Sequence, residues 1–290
     1  MKTVGVILLG GNGKRLSPLT LGINKHLLPV YNKPMFYYSL SLLMLAGIRE
    51  IVFICNKKDI FFYKKYFGNG DKLGCRFYYE YQDKPLGIAH GLKIAFNLFK
   101  KNVNIFMVLG DQFIFSYSLQ NRLKKIIDSN MSAILTYNID QPEGYGVLIK
   151  EKNNYHIVEK PDSYVSSQVV TGIYYYKREN LKYLNSIKKS IRGEFEITDL
   201  NNILLEKKYL KVFNLGRGDC WLDIGDTRRL MQASRLVESI EESNNKKISC
   251  PEEIALRQNF INKNQFASII NENNFNDDYK NYLVKVYDSV

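Results

Sequence analysis

The first 140 residues alternate short, continuously apolar runs with stretches of helical periodicity, and little lies between them. Thr3–Leu9 (TVGVILL), Ile51–Cys55 (IVFIC), Arg76–Tyr81, Ile105–Leu109 (IFMVL) and Ala133–Tyr137 read as strands. Pro34–Ile48, Asp59–Phe67, Gly87–Phe99 and Leu119–Ser129 read as helices. A strand that is apolar at every position must be covered on both faces, and helices returning between strands supply that cover. The pattern predicts an α/β fold: a Rossmann-like, mostly parallel sheet covered by helices. Past residue 140 the spacing tightens. Tyr145–Lys150, Tyr155–Glu159 and Val169–Tyr176, with short turns such as Lys152-Asn153-Asn154, predict a small antiparallel insertion. Helical signals return at Thr198–Lys207 and Asp226–Asn245. The tail opens with Cys250-Pro251-Glu252-Glu253, residue types suited to a first helical turn, and two further helical stretches follow. No linker and no repeat interrupts this order, so we expect one α/β domain over 1–250 and a helical region over 251–290.

Composition excludes more than it selects. The longest apolar stretch, Phe36–Ile48, contains serines and falls short of the roughly 18 residues a membrane span needs. Met1-Lys2 leads straight into a strand pattern without a cleavage site, so a cytoplasmic protein is expected. Cys55, Cys75, Cys220 and Cys250 are scattered without metal spacing and read as free thiols. A net charge of +12 permits an anionic partner. It comes with no reader motif for nucleic acid and no membrane segment, so neither is expected as a partner.

The most informative stretch, Leu8-Leu9-Gly10-Gly11-Asn12-Gly13-Lys14-Arg15-Leu16, follows the first strand directly. Glycines there let the backbone approach an anion, and Arg15 adds a permanently charged planar fork. The loop is neither a P-loop nor a GxGxxG fingerprint. Ten residues on stands Lys25, in Asn24-Lys25-His26-Leu27-Leu28-Pro29-Val30-Tyr31-Asn32-Lys33-Pro34-Met35. The glycine loop with Arg15 followed by this run resembles the sugar-1-phosphate nucleotidylyltransferase family, and within it the short, tetrameric glucose-1-phosphate thymidylyltransferase branch. The resemblance runs nearly end to end, through Leu43–Arg49 (LMLAGIR), Gly110-Asp111, Tyr145-Gly146-Val147, Glu159-Lys160-Pro161, Thr171-Gly172, Arg192–Asp199, Gly216-Arg217-Gly218, Trp221-Leu222-Asp223 and Ser249–Asn262.

That resemblance implies a division of labour. A sugar-1-phosphate oxygen attacks the α-phosphorus of dTTP in line and pyrophosphate leaves, so two approaching polyanions must be neutralised. Asp111 and Asp223 would hold Mg²⁺, which takes one or two carboxylates plus phosphates and water. Arg15 would hold the departing phosphates and Lys25 the triphosphate; Lys160 and Arg192 would hold the sugar phosphate. Leu9, Gly10, Gly11, Gly13, Gln82 and Gly87 would line the nucleotide, and Tyr145, Gly146, Glu159 and Val170 the sugar. The nucleotide part would span 1–140 and the sugar part 141–225. Arg217, Glu253, Ile254 and Arg257 match a second, regulatory nucleotide site, although Phe115-Ser116-Tyr117-Ser118 departs from the family there. Lys14, His26, Leu86 and Gln112 also depart from the usual pattern, and several border the substrates. The same chemistry with UTP, CTP or another sugar phosphate therefore stands as the alternative, and a non-catalytic nucleotide-sugar-binding paralogue as a minor one. Apolar helical positions of the tail, Ile254, Phe266, Ile270 and Leu283 among them, must pack on the domain or on a neighbouring subunit. The resemblance favours the subunit, in a homotetramer.

Overall fold

The computed structural model describes the chain apart from Asn12, Lys101, Asn153, Asn273 and Asn274; Asn12 of the glycine loop and Asn153 of the expected turn thus lie outside the described residues. In chain order, β1 (Thr3–Leu8) is followed by the two-residue strands β2 (Pro29–Val30) and β3 (Lys33–Pro34), then α1 (Phe36–Leu45), β4 (Glu50–Cys55), α2 (Ile60–Phe67), β5 (Arg76–Tyr81), α3 (Ile88–Leu98) and β6 (Asn104–Leu109). Next come β7 (Gln112–Phe115), α4 (Leu119–Asp128), β8 (Ser132–Asn138), β9 (Gly146–Glu151), β10 (Asn154–Glu159) and β11 (Gln168–Tyr176). The chain closes with α5 (Ile197–Glu206), β12 (Leu210–Asn214), β13 (Cys220–Asp223), α6 (Thr227–Asn244), α7 (Pro251–Arg257), α8 (Lys263–Glu272) and α9 (Asp277–Ser289).

The main sheet runs β10-β9-β11-β6-β1-β4-β5, with β8 joined to β11 and β12 to β8. β6, β1, β4 and β5 are parallel. The expected antiparallel strands are present, but they extend the same sheet: β11 runs antiparallel to β6, β8 and β9. Residues of β1 alternate between the two faces. Ile7 joins one core with Phe36, Phe53 and Phe106, while Val4 and Val6 join the other with Leu92 of α3 and Leu200 of α5. Both faces are apolar because both are covered, which is why these strands read as unbroken hydrophobic runs.

The tail helices complete the first of these cores. Phe266 and Leu283 are fully buried, and Ile254, Ile261, Ile269, Ile270 and Val286 nearly so, within this single chain. Most of the tail's apolar stripe is thus covered by its own chain, with α1 packed on α7, while Val284 stays exposed. A buried ion pair ties β3 to α6, the helix before the tail. Lys33 Nζ lies 2.7 Å from Glu241 Oε1, with both side chains almost wholly enclosed, and Asn32 and the Ile248 N–H also donate to Glu241. Removing one partner of such a pair leaves an uncompensated charge, at a cost of about 3–5 kcal/mol. All four cysteines are free thiols. No helix among the described residues is long and apolar enough to cross a membrane.

Candidate active site

The connection from β1 leads to β4 on one side of it, and β6 is later laid on the other side. Loops leaving the carboxyl ends of β1 and β6 therefore diverge and open a crevice, the usual ligand position in such sheets. A Cβ on Gly110 would sit 2.5 Å from Leu9 Cδ2 and 2.6 Å from His26 Cδ2, so only glycine lets these loops touch. β7 begins directly after Asp111 and pairs antiparallel with β13, setting Asp223 opposite Gln112. The Ile224 N–H donates to the Asp111 carbonyl at 2.9 Å. These two four-residue strands carry both candidate metal-binding carboxylates into one cleft.

Around Asp111 the partners are complete. Lys25 Nζ donates to Oδ2, and Gln112 Nε2 donates to Oδ1 at 2.9 Å. Gln112 Oε1 accepts from the Gly172 N–H and from Trp221 Nε1, at 3.1 and 2.7 Å. Burial by itself would raise the Asp111 carboxyl. The Lys25 charge, His26 and the two donated hydrogen bonds outweigh that and hold it well below the usual carboxylate range. Asp223 goes the other way. Burial first, then the negative charge of Asp111, push its carboxyl up, against the opposing pull of Lys25, Arg229 and Arg15. Two desolvated carboxylates whose charges oppose each other are a hard-cation donor set, and a divalent ion fits them. Among the described residues no three His, Cys, Asp or Glu side chains gather as ligands, so other oxygens would complete the shell.

Arg15 reaches the same place from the glycine loop. A Cβ on Gly225 would lie 2.5 Å from Arg15 Nη2 and 3.3 Å from Asp223 Oδ2, so this glycine admits the guanidinium beside the carboxylate. Gly11 and Gly13 have positive φ, 110° and 57°, which the turn requires. Leu9 is a different matter. Its side chain is fully buried, its N–H donates to Ile54 O, and its carbonyl accepts from Asn24 Nδ2. These bonds make Leu9 a strut under the loop. His26 is likewise structural: burial and the neighbouring Lys25 charge lower it to about 3, and Nδ1 lies 2.8 Å from Asn24 Oδ1.

Across the loop from Gly10 stands Gln82, whose Oε1 would lie 3.6 Å from a Cβ placed there. Gly87, at φ 97°, caps α3, and a Cβ on it would strike the Phe195 backbone at 2.5 Å. At the other end, Arg15, Asp111, Gln112, Tyr145, Gly146, Glu159, Lys160, Val170, Arg192, Thr198, Trp221 and Asp223 line one cleft of about 220 Å³. Thr198, in the first turn of α5, donates its hydroxyl to Glu159 Oε2. Arg192 lies 3.4 Å from Glu159 and Glu194 and 3.6 Å from Glu196. Lys160 is exposed at φ 46°, and its N–H is held by the Tyr145 carbonyl at 2.9 Å.

A family model described as nucleotidyl transferase matches residues 4–240. The chain belongs to the nucleotidyl transferase family. Among curated relatives, glucose-1-phosphate thymidylyltransferase of Neisseria gonorrhoeae is 39% identical over 262 residues, covering 89% of this chain and 91% of its own. The enzyme of the same name from Mycolicibacterium smegmatis is 37% identical, covering 98% of this chain and 99% of its own. Among solved structures, a Bacillus anthracis protein provisionally named glucose-1-phosphate thymidylyltransferase, in complex with a sucrose, superposes with TM-score 0.73 at 33% identity, over 81% of this chain and 94% of that one. A UDP-glucose pyrophosphorylase with UDP-glucose, 21% identical at TM-score 0.72, covers 83% of this chain and the whole of that one and shares the fold. The chain is thus an enzyme, and its chemistry is nucleotidyl transfer.

Within this family member the sequence-derived residues fall into two groups. Arg15, Lys25, Asp111, Asp223, Glu159, Lys160 and Arg192 are brought to one cleft or to its wall. Within the single chain, Arg217 stands apart from the other three residues of the regulatory set. Glu253 and Arg257 pair with each other and reach Tyr282 and Ser289 of α9, while Ile254 points into the core. Arg217 is exposed between β12 and β13, and no hydrogen bond or ion pair among the described residues links it to the other three. Gln112, Thr198 and Arg229 hold the site without having been singled out as site residues. Arg229 lies 3.5 Å from Asp223 and stacks its guanidinium 5.4 Å from the Tyr145 ring centre. Only Gln112 carried a signal, as a departure from the usual residue beside Asp111.

Proposed function

We propose that the chain is a Mg²⁺-dependent glucose-1-phosphate thymidylyltransferase: dTTP and glucose 1-phosphate, or a close sugar 1-phosphate, give dTDP-sugar and pyrophosphate. The observation that carries this reading is the single cleft joining Arg15, Asp111 and Asp223 to Lys160, Arg192 and Glu159. Relatives of that name across nearly the whole chain support the choice of substrates. An oxygen of the sugar phosphate forms a new bond to the α-phosphorus, the α–β bridging bond breaks, and pyrophosphate carries the electron pair away. Asp111 and Asp223 would hold Mg²⁺, which supplies neutralisation of the triphosphate and polarisation of the reacting phosphorus. Arg15 meets the charge that grows on the leaving phosphates. Lys25, paired with Asp111, would add a positive charge beside the triphosphate. Lys160 and Arg192 hold the sugar phosphate, and Glu159, pinned by Thr198, accepts from sugar hydroxyls.

The reading extends to a cytoplasmic homotetramer whose end-product control at Arg217, Glu253 and Arg257 is weak. The assembly rests on the resemblance alone, since the tail's apolar stripe is covered by its own chain. Pyrophosphate release from dTTP, UTP, CTP and GTP against several sugar 1-phosphates, with and without Mg²⁺, tests the chemistry. The expected best pair is dTTP with glucose 1-phosphate; no release with any pair overturns the reading. Light scattering tests the assembly, and a species near 34 kDa would refute it.

A further inference from the structure

The Gln82 amide is held in one of its two orientations, and the reason lies outside the nucleotide pocket. Gln82 Nε2 stands 3.2 Å from the Gly87 carbonyl and 2.8 Å from His90 Nδ1. A carbonyl only accepts, so the atom facing Gly87 must be the NH₂. One amide hydrogen goes to Gly87, and the other points at His90 Nδ1. That nitrogen must then be the bare acceptor of a neutral ring protonated on Nε2. With both amide hydrogens spent, Gln82 has only Oε1 left, and Oε1 is the atom turned toward Gly10. His90 is itself fixed. It lies in the first turn of α3, stacked 23° from parallel on Phe195 at 6.1 Å, and Phe195 is bound by its backbone to Leu86 and Ala89.

We propose that His90 is a positioning residue that, together with the Gly87 carbonyl, locks the Gln82 side chain so that it presents an acceptor to the nucleotide base. This rests on the proposed nucleotidyl transfer, with Gln82 lining the nucleotide as the resemblance implies, and deepens it by naming what that site selects. An acceptor at Gln82 requires a donor on the base. The imide N3–H of thymine or uracil provides one; the cytosine N3 lone pair meets Oε1 as acceptor against acceptor. Protonating His90 at Nδ1 breaks the lock. The ring then donates, the amide hydrogen facing it is repelled, and Oε1 cannot take its place without meeting the Gly87 carbonyl, so the amide is no longer held with its acceptor toward the base. The groups around the ring favour the neutral form: burial first, then Lys93 on the same helix and Lys189 from the facing segment, lower it below 6.5 against the opposing Asp83. The acceptor-presenting state is therefore the one present at neutral pH and lost in acid.

Three variants and one spectrum test this on the full-length protein. The long-range ¹H–¹⁵N spectrum of the imidazoles should give His90, identified by the peak lost in His90→Asn, a proton on Nε2 and none on Nδ1 near pH 7.5. In steady-state kinetics, His90→Leu should raise the KM for dTTP about tenfold, with kcat little changed, and narrow the preference for dTTP over CTP by a similar factor, the size of one neutral hydrogen bond. His90→Asn, whose Oδ1 stands where Nδ1 stood, should restore the wild-type KM, while His90→Lys should mimic the protonated ring. The wild-type KM for dTTP should rise as pH falls through the lowered value of His90, and His90→Asn should lack that rise. A proton on Nδ1 of the neutral ring, a His90→Asn variant as impaired as His90→Leu, or an unchanged pH step in His90→Asn would each overturn the proposal. Should the wild type transfer from no nucleotide at all, the proposed function falls, and the tautomer still decides whether His90 holds Gln82.

Discussion

At the floor of the cleft Asp111 and Gln112 have every polar group engaged, whereas at its rim Lys160 is exposed and Arg192 is shared among three carboxylates. The floor sits on strand ends, β6 into β7 and β13, whose backbone pairing fixes where the side chains start. The rim sits on the loops after β10 and before α5, outside the strand ladders, with its charged side chains at the surface. Floor groups are organised before substrate arrives, which is where stabilisation of a transition state is most effective. Rim groups are cations in water, suited to capturing a phosphate already charged in the ground state. The difference predicts that floor and rim substitutions damage different kinetic constants.

The largest effect should come from the floor. Asp111→Asn is expected to cut kcat by about a thousandfold, roughly 4 kcal/mol, because an amide holds Mg²⁺ poorly against the triphosphate. Near-normal turnover at limiting Mg²⁺ would break the comparison outright. At the rim, Lys160→Ala should raise the KM for the sugar phosphate about 10–100-fold, the range of a charge-assisted hydrogen bond, while leaving that for dTTP almost unchanged. Equal effects on both substrates would erase the boundary between the two ends.

Gln112→Leu sharpens the floor's character without touching substrate. It strips the Gly172 N–H and Trp221 Nε1 of their acceptor, and thermal unfolding should show a loss of about 1–3 kcal/mol per orphaned donor. Unchanged stability would mean that water replaces the amide. Asp223 gives the pH dependence. Its carboxyl is raised above the ordinary value, so the proton-free form a cation requires is depleted as pH falls through that raised value. Mg²⁺ affinity measured by calorimetry should therefore decline toward acid, approaching about tenfold per pH unit. The same elevation means that ionised Asp223 opposes folding at pH values above it, so Asp223→Asn should melt slightly higher than wild type at pH 8, by about 1 kcal/mol, while losing turnover. The smallest effect belongs to Arg257→Ala. Its pairing with Glu253 is an exposed i,i+4 contact, for which a stability change of about 0.5 kcal/mol or less is expected.

The parallel half of the sheet was legible because its strands are buried on both faces, and Thr3–Leu9 or Ile51–Cys55 can hardly be anything else. β7 and β13 were not. Four residues each, one opening with Gln and the other closing with Asp, they carry too short a pattern to signal a strand, and they exist because they pair with each other across more than a hundred residues. The carboxylates Asp111 and Asp223 were found through resemblance, while the pairing that joins them needed the structure. The Arg15, Lys25 and Glu159-Lys160 motifs were legible as charges in order. Their supports, Thr198 and Arg229, were not, because a threonine or arginine in the first turn of a helix looks like any other until its partner is known. The tail shows the same limit from the other side. Apolar periodicity announced that α7, α8 and α9 must cover something, but could not say whether that something was the chain itself.

Since the answer is the chain itself, the order of synthesis matters. Residues 251–290 leave the ribosome after every strand of the sheet, yet Phe266 and Leu283 complete the core that Phe36, Phe53 and Phe106 began. Until they emerge, that core, already packed by α1, lacks its outer helices. Folding of this core therefore waits for its last helices, and the interval between the last strand and the last helix is when the growing polypeptide is most exposed to aggregation and to chaperones.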